Sequence, residues 1–304
     1  MKPALSWFAR LRNGNTPSGR MLAGILASPL ATLSACVCLL LLFAALCGPF
    51  LVAQNPYDLA ALNILDSKLP PGSSGFEGAN YWLGTDGQGR DMLSAMVYGL
   101  RTSIGVGVFS GVLAMAVGTL LGLIAAYFGG RLDSLIMRSV DLMLGLPTIL
   151  VALMLLAVLG QGVGKVIFAL TLVQWAHFAR TVRSAALVEK QKDYVEAAIT
   201  LGISTPRILL RHLLPNCLPP VIVVGMLQVA SAISAEATLS FLGIGLPITE
   251  PSLGLLIANG YETLMSGEYW ISFYPGMLLL VLVFNINIVG DRVREVLNPR
   301  TGER

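Results

Sequence analysis

Side chains that could act as a nucleophile or a general base are rare in this sequence and do not form a catalytic pattern. An intramembrane serine protease needs a serine and a histidine at matching depths in the bilayer. The only histidines, His177 and His212, lie near the ends of apolar runs, whereas Ser110 lies inside another run without the GxSG spacing. We therefore expect no catalytic residue and do not predict an enzyme.

Phosphate and metal motifs are equally weak. The stretch GQGVGKV resembles a phosphate-binding loop, but Leu159 stands where the first glycine belongs, and Val166 follows the lysine instead of Ser or Thr. The stretch GTDGQGRD is not a calcium loop, because Gln88 and Arg90 replace oxygen ligands. It predicts a tight turn with a helix start near Asp86. We expect no cofactor and no metal in this chain.

The composition is that of a membrane protein. Of the 304 residues, 55% are hydrophobic and 12% are charged, whereas soluble domains carry about 25% charged residues. A bilayer core needs roughly 20 apolar residues per helical crossing. The sequence therefore predicts an all-α polytopic membrane protein with six transmembrane helices, at about residues 28–53, 101–127, 140–161, 165–186, 217–243 and 269–290.

The basic residues predict the orientation of these spans. With the N-terminus inside, 16 Lys and Arg residues lie on the cytoplasmic side and four lie outside, which follows the positive-inside rule. Residues 1–27 are then a cytoplasmic N-terminal segment, 28–304 the transmembrane domain, 54–100 an outer loop and 187–216 a cytoplasmic loop. The distribution of the basic residues is explained by the membrane topology. We therefore expect membrane lipid as a partner and predict no nucleic-acid partner.

The outer loop reads as an irregular connection where its sequence is LPPGSSGFEGAN, because Pro, Gly and Ser dominate there. The polar stretch Met1 to Gly19 reads in the same way, as a flexible lead-in to the first span.

The 187–216 loop carries charge that most of the chain avoids. Its first part, LVEKQKDYVEAAIT, reads as one amphipathic helix with an apolar side formed by Val188, Val195, Ala198 and Ile199. Gly202 can close that helix in a left-handed conformation, and Ser204 and Pro206 suit the start of a second helix of about two turns. Pro215 is expected to end that second helix.

Helices this short need a surface to dock on. Burying a side chain such as Ile199 or Leu201 contributes about 1.5–3 kcal/mol, whereas an exposed ion pair contributes about 0–1 kcal/mol, so apolar contact should dominate docking. Ala197, Ala198 and Gly202 keep the bend slim. The residues alone leave two interpretations open: the bend fits a groove of another protein, or it packs on its own membrane domain.

Glu236 is an acid inside a predicted span, within SAISAEATLSFLG. A carboxylate there costs about 2.5–3.5 kcal/mol on insertion scales. Two interpretations remain open: a structural hydrogen bond to a neighbouring helix, or a role in translocation or gating.

The segment Glu196-Ala197-Ala198, then Gly202, then Leu213-Leu214-Pro215 resembles the EAA loop of bacterial ABC importer permeases. The wider sequence is similar to the second, or "C", type of permease subunit in the dipeptide, oligopeptide and nickel transport family. The similar blocks are LGTDGQGRDMLSAMVYGLRTS, GGRLDSLIMRSVDLMLGLP, RHLLPNCLPP, EATLSFLGIG and NINIVGDRVREVLNPR.

The resemblance implies a type I ABC importer permease fold and a multi-pass subunit of the bacterial cytoplasmic (inner) membrane, with both termini in the cytoplasm. It implies a homologous second permease, two ATPase subunits that bind ATP-Mg, and an extracytoplasmic substrate-binding protein. The cargo would be small peptides or a related small solute. The implied ATPase-coupling residues are Glu196, Ala197, Ala198, Gly202, Arg207 and Pro215.

A secondary transporter that works without an ATPase is the alternative class. Such a protein is expected to have ionisable residues near the middle of the membrane and broken helices in two repeated halves. The sequence shows one acid inside a span and no repeated halves, so it favours the importer.

Overall fold

The computed structural model describes residues 17–58, 62–76 and 78–297. Most of the predicted N-terminal lead-in and the end of the C-terminal tail lie outside these residues. The helices, numbered here in chain order, are α1 Pro17–Leu26, α2 Pro29–Cys47, α3 Met92–Phe128, α4 Gly130–Gly145, α5 Thr148–Leu159, α6 Val163–Lys190, α7 Asp193–Thr200, α8 Thr205–Phe241, α9 Leu253–Tyr261 and α10 Trp270–Leu297. The prediction of an all-α protein is confirmed.

Among the residues that the structure describes, four helical stretches are long and apolar enough to cross a membrane: α2 with the turn that follows it, α3, α8 and α10. The pair α4 and α5 is a fifth candidate if the two are taken as one bent span. Helix α6 has 28 residues, enough to cross, but Gln174, His177 and its basic residues lower its hydropathy. The described residues thus give four candidate spans, or five with the bent pair, and the predicted count of six is not confirmed.

The span predicted at 140–161 is bent in the structure. Helix α4 ends at Gly145, α5 begins at Thr148, and the two helices meet at 93°. Pro147 causes the break, because the residue before a proline avoids the helical conformation, and Leu146 is extended with φ −97° and ψ 143°. Helix α5 has 12 residues, which extend about 18 Å and fall short of the bilayer core.

Helices α3 and α6 form the centre of the bundle because two glycines let their backbones approach closely. A Cβ atom at Gly118 would lie 2.4 Å from the carbonyl oxygen of Trp175, and one at Gly122 would lie 2.6 Å from that of Ala179. On the side of the 187–216 loop, this contact continues into a buried apolar cluster that includes Leu123, Ala126, Phe178, Val182, Ala186, Val195, Ala198, Ile208, Leu213 and Cys217.

The predicted outer loop is more ordered than its composition suggests. Strands β1 Ser73–Ser74 and β2 Asn80–Tyr81 pair antiparallel within the stretch expected to be irregular, so that expectation is wrong there. Asp66, 3% exposed, organises the hairpin: its carboxylate accepts hydrogen bonds from the Phe76 amide at 2.7 Å and the Tyr81 hydroxyl at 3.0 Å. Asp66 precedes the stretch LPPGSSGFEGAN, so the composition of that stretch does not reveal the contact.

The GTDGQGRD stretch forms a tight turn, but α3 does not begin near Asp86. Asp91 caps α3 instead, accepting a hydrogen bond from the Ser94 amide at 2.8 Å. Asp86 accepts from the Arg90 side chain at 2.7 Å, and both side chains are buried. Arg90 also donates to the Ile248 carbonyl at 3.3 Å. The ion pair thus attaches the outer loop to the segment that follows α8.

Candidate coupling site

The first part of the 187–216 loop is two helices. Helix α6 ends at Lys190 and α7 begins at Asp193, so the prediction of one continuous helix is wrong. The break turns α7 so that Val195 and Ala198 are buried, while Val188 is 66% exposed and Ile199 is 47% exposed. The predicted apolar side is therefore divided between the core of the protein and its surface.

Gly202 closes α7 as the sequence predicts, with φ +71°. The amide of Ile203 donates to the Ala198 carbonyl at 3.1 Å, and the amide of Gly202 donates to the Ile199 carbonyl at 3.0 Å. These two bonds define a Schellman motif, in which a left-handed residue satisfies the last carbonyls of a helix. A Cβ atom at Gly202 would meet no atom within 4 Å, so the turn faces open space.

The second helix starts where predicted but does not end at Pro215. Ser204 is its N-cap residue and Pro206 lies in its first turn. The helix passes through a π-helical stretch, Ile208–Leu213, and continues as α8 to Phe241. The π-helical turn ends at Leu213, shortly before Pro215. Leu213 and Cys217, on either side of Pro215, are buried in one cluster. Packing therefore overrides the helix-breaking tendency of proline.

A polar network fixes the base of α7. Glu189 accepts hydrogen bonds from Lys192 at 3.0 Å and from the Tyr194 hydroxyl at 2.6 Å. Asn216 on α8 donates to the Tyr194 hydroxyl at 3.0 Å and to the His212 carbonyl at 2.8 Å. The network connects the end of α6, the start of α7 and the first part of α8, so α7 is held from both sides.

The network shifts two pKa values. Burial raises the pKa of Glu189, but the hydrogen bonds from Lys192 and Tyr194 and the charge of Lys192 outweigh it, so the pKa lies below its ordinary value. Burial and donation to Glu189 raise the pKa of Tyr194 to about 12. Near neutral pH, Glu189 is therefore a carboxylate and Tyr194 a neutral hydrogen-bond donor.

The predicted coupling residues divide into exposed and buried positions. Ala198 is 4% exposed and packs on its own membrane domain, so it contributes spacing and not a contact surface. Pro215 lies ten residues into α8, about 15 Å along the axis from its start. The exposed positions are Glu196, Ala197, Gly202, Arg207 and Pro215.

Glu236 is fully buried between three helices. Its two carboxylate oxygens accept hydrogen bonds from Ser103 on α3 and Ser240 on α8, both at 2.8 Å. The hydroxyl of Ser103 also accepts from the Leu253 amide at 3.3 Å, at the start of α9. Of the two interpretations left open by the sequence, this geometry favours the structural hydrogen bond.

Residues 118–303 match the family model described as the inner membrane component of binding-protein-dependent transport systems. This chain belongs to that family. The match covers the whole 187–216 loop and Glu236. It favours the permease of an ATP-driven importer over a secondary transporter, and the resemblance to this family is confirmed.

Curated relatives of this permease extend the match over most of the chain. It is 37% identical over 264 residues to the dipeptide transport system permease protein DppC of Bacillus subtilis, covering 87% of this chain and 80% of the relative. It is 34% identical to the oligopeptide transport system permease protein OppC of the same species, covering 90% and 87%. It is also 34% identical to the probable D,D-dipeptide permease DdpC of Escherichia coli, covering 90% and 89%.

The fold of the permease is that of a type I ABC importer. It matches a chain of the inward-facing MetNI methionine ABC transporter with a TM-score of 0.53 and 22% identity, covering 67% of this chain and 97% of the other.

Sequence reasoning missed one connection at this site. Lys190 binds the end of α3, donating to the Tyr127 carbonyl at 2.6 Å. The available signal was weak: a basic residue in the last turn of a helix suits helix-end carbonyls in general, but nothing local indicates whose carbonyls they are.

Proposed function

We propose that this permease imports small peptides and that α7 with the Gly202 turn is its contact with an ATPase subunit. The observation that carries the proposal is an apolar, slim and exposed bend on a rigid base. Leu201 is 79% exposed and Ile199 is 47% exposed, next to a glycine turn that faces open space. Burial of such side chains contributes about 1.5–3 kcal/mol each, so a partner's groove can bind them.

The partners in this proposal are those that the resemblance implies. They are a second permease, two ATPase subunits that bind ATP-Mg, and an extracytoplasmic binding protein. The 187–216 loop and both termini face the cytoplasm in this proposal, supported by the distribution of Lys and Arg. Movement of the ATPase subunits would then reach the bundle through α7, whose base is hydrogen-bonded to α6 and α8.

The proposed cargo rests on the relatives, which are named as dipeptide, oligopeptide and D,D-dipeptide permeases. Uptake of labelled dialanine by cells that carry the whole importer, compared with cells that lack this chain, tests the cargo class.

The coupling proposal is tested by substitutions of Gly202. A left-handed conformation costs most residues about 1–2 kcal/mol, but Asn tolerates it. Gly202→Asn should therefore fold normally while adding a side chain to the contact surface, and Gly202→Val adds backbone strain as well. We expect both complexes to assemble and hydrolyse ATP while dialanine uptake falls by about tenfold or more.

Gly267 provides the matched control. It is also left-handed, with φ +93°, and a Cβ atom there would meet no atom within 4 Å, but it lies in the predicted outer segment before α10. Gly267→Asn should leave the uptake per hydrolysed ATP unchanged. Wild-type uptake by both Gly202 variants would refute the coupling contact.

A further inference from the structure

The end of α3 is bound by a cation from α6. The last carbonyls of a helix have no partner within the helix. Lys190 Nζ donates to the carbonyl of Tyr127 at 2.6 Å and lies 3.4 Å from that of Ala126. The same ammonium group lies 5.4 Å from the centroid of the Tyr127 ring, within the range of a cation–π contact. One lysine therefore holds both the backbone and the ring of Tyr127.

Tyr127 also contacts the other end of the bend. Its hydroxyl lies 3.4 Å from the Thr205 hydroxyl. Lys190 is the last residue of α6 and Thr205 the first residue of α8, so the two residues bracket the turn and helix between them. A single residue of α3 thus reaches both ends of the bend. We refer to Lys190, Tyr127 and Thr205 as the clamp.

The clamp adds polar contacts to an apolar contact with α3, because Val195 and Ala198 of α7 already share a buried cluster with Leu123 and Ala126 of α3. Without it, hydrogen bonds connect α7 to α6 and α8 through Glu189, Tyr194 and Asn216. The clamp adds polar contacts to α3, whose 37 residues run from Met92 to Phe128. Helix α3 also carries Ser103, the hydrogen-bond partner of Glu236. Movement at the bend can therefore pass along α3 toward α9.

We infer that Lys190 is a positioning residue for coupling, because it holds the base of the bend on α3 so that α3 moves together with α7. This inference rests on the proposed function, since it assumes that force enters at α7. It assigns no contact with cargo or nucleotide to Lys190.

Spin labels test the inference without any cargo. In a variant whose four cysteines are replaced by alanine, labels are placed at the exposed residue Asp193 on α7 and at Leu120 on α3, which is 57% exposed. In the assembled importer with Lys190 present, we expect one narrow distance distribution that ATP-Mg does not shift. Lys190→Met should broaden the distribution and make it respond to ATP-Mg, and Lys190→Arg should restore the narrow one.

Transport gives the second measurement. Lys190→Met should lower dialanine uptake per hydrolysed ATP by about tenfold in proteoliposomes, with Lys190→Arg retaining at least about half. Lys165→Met is the matched control, since Lys165 is an exposed lysine at the opposite end of α6. Thr205→Val removes only the hydroxyl group that contacts Tyr127, so it should lower the uptake per hydrolysed ATP by less. This variant tests the clamp if Lys190→Met does not assemble.

The outcomes separate the two proposals. The clamp would be overturned if Lys190→Met kept narrow distances that ATP-Mg does not change and wild-type uptake per hydrolysed ATP. It would also be overturned if the loss of uptake in Lys190→Met only followed a lower amount of assembled complex. If the Gly202 variants uncouple while Lys190→Met does not, only the clamp is wrong. If the Gly202 variants transport normally, the coupling contact itself is wrong.

Discussion

Glu236 is a buried acid whose hydrogen bonds connect three helices. Both of its oxygens accept hydrogen bonds from serines, and one of those serines also binds the start of α9. Leaving a buried polar group without its partner costs about 1–3 kcal/mol. The carboxylate therefore stabilises the junction of α3, α8 and α9.

Substitution separates this account from a role in translocation. Glu236→Gln keeps the shape of the side chain. Its amide oxygen can accept from Ser103, and its NH2 group can donate to Ser240 if that hydroxyl turns to accept. The substitution should therefore change thermal stability in detergent by only about 1 kcal/mol and retain uptake. Glu236→Ala leaves two buried hydroxyl groups without their acceptor and should destabilise by about 2–5 kcal/mol. A Gln variant that is as stable as the wild type but does not transport would show that the charge itself is needed.

Glu189 predicts a pH dependence at the base of the bend. Because its pKa is below the ordinary 4.5, the stabilisation that its charge provides is present above that value and is lost as the pH falls through the lower, folded value. The stability advantage of the wild type over Glu189→Gln should be constant near neutral pH and shrink as the pH falls below 4.5. Thermal unfolding in detergent measures it, and an advantage that grows on acidification would contradict the network.

Individual residues differ in how far the sequence reveals their roles. Gly202 could be predicted because a helix that ends in glycine has a local chemical explanation. Lys190 could not, because its partner Tyr127 lies 63 residues earlier in the chain. The exposure of Ile199 also depends on the turn at Gln191, which no proline or glycine marks.

At the scale of elements, two ion pairs attach α4 to α6, and their surroundings differ. Arg183 binds both carboxylate oxygens of Asp133, at 2.5 and 2.6 Å, with side-chain exposures of 30% and 19%. Arg180 binds one oxygen of Asp141, with exposures of 50% and 68%. The bidentate, partly buried pair is expected to be the stronger one.

Paired substitutions test that ranking. Asp133→Asn should destabilise the protein by about 1–3 kcal/mol and increase hydrogen exchange in α4, whereas Asp141→Asn, the control, should cost about 0–1 kcal/mol. The measurements are thermal unfolding in detergent and hydrogen exchange by mass spectrometry. Equal effects of the two substitutions would contradict the structural distinction.

The boundaries of elements were less predictable than their existence. Apolar runs predict the long helices α2, α3, α8 and α10 because each must cross the bilayer. The bend at Pro147 and the continuation of α8 through Pro215 are opposite outcomes for the same residue type. Packing decides between them. Leu213 and Cys217, two residues before and after Pro215, are buried, whereas Gly145 and Ile149, two residues before and after Pro147, are exposed and half-buried.

At the scale of the whole molecule, composition and charge indicate a membrane protein and its orientation, and loop residues indicate the family. The arrangement of helices is not available from these signals. The close approach of α3 and α6 depends on Gly118 and Gly122 facing Trp175 and Ala179, a pairing that periodicity within one helix does not encode. The network that connects the bend to α3, α6 and α8 is equally non-local.

The most direct test of the central claim is a photo-cross-link from Leu201. Benzoylphenylalanine is introduced at Leu201 or, as a control, at Met265, a fully exposed apolar residue in the predicted outer segment. In membranes that contain the assembled importer, we predict an adduct with an ATPase subunit from position 201 and none from position 265. Adducts from position 201 that contain only lipid or this chain itself would contradict the proposed coupling contact.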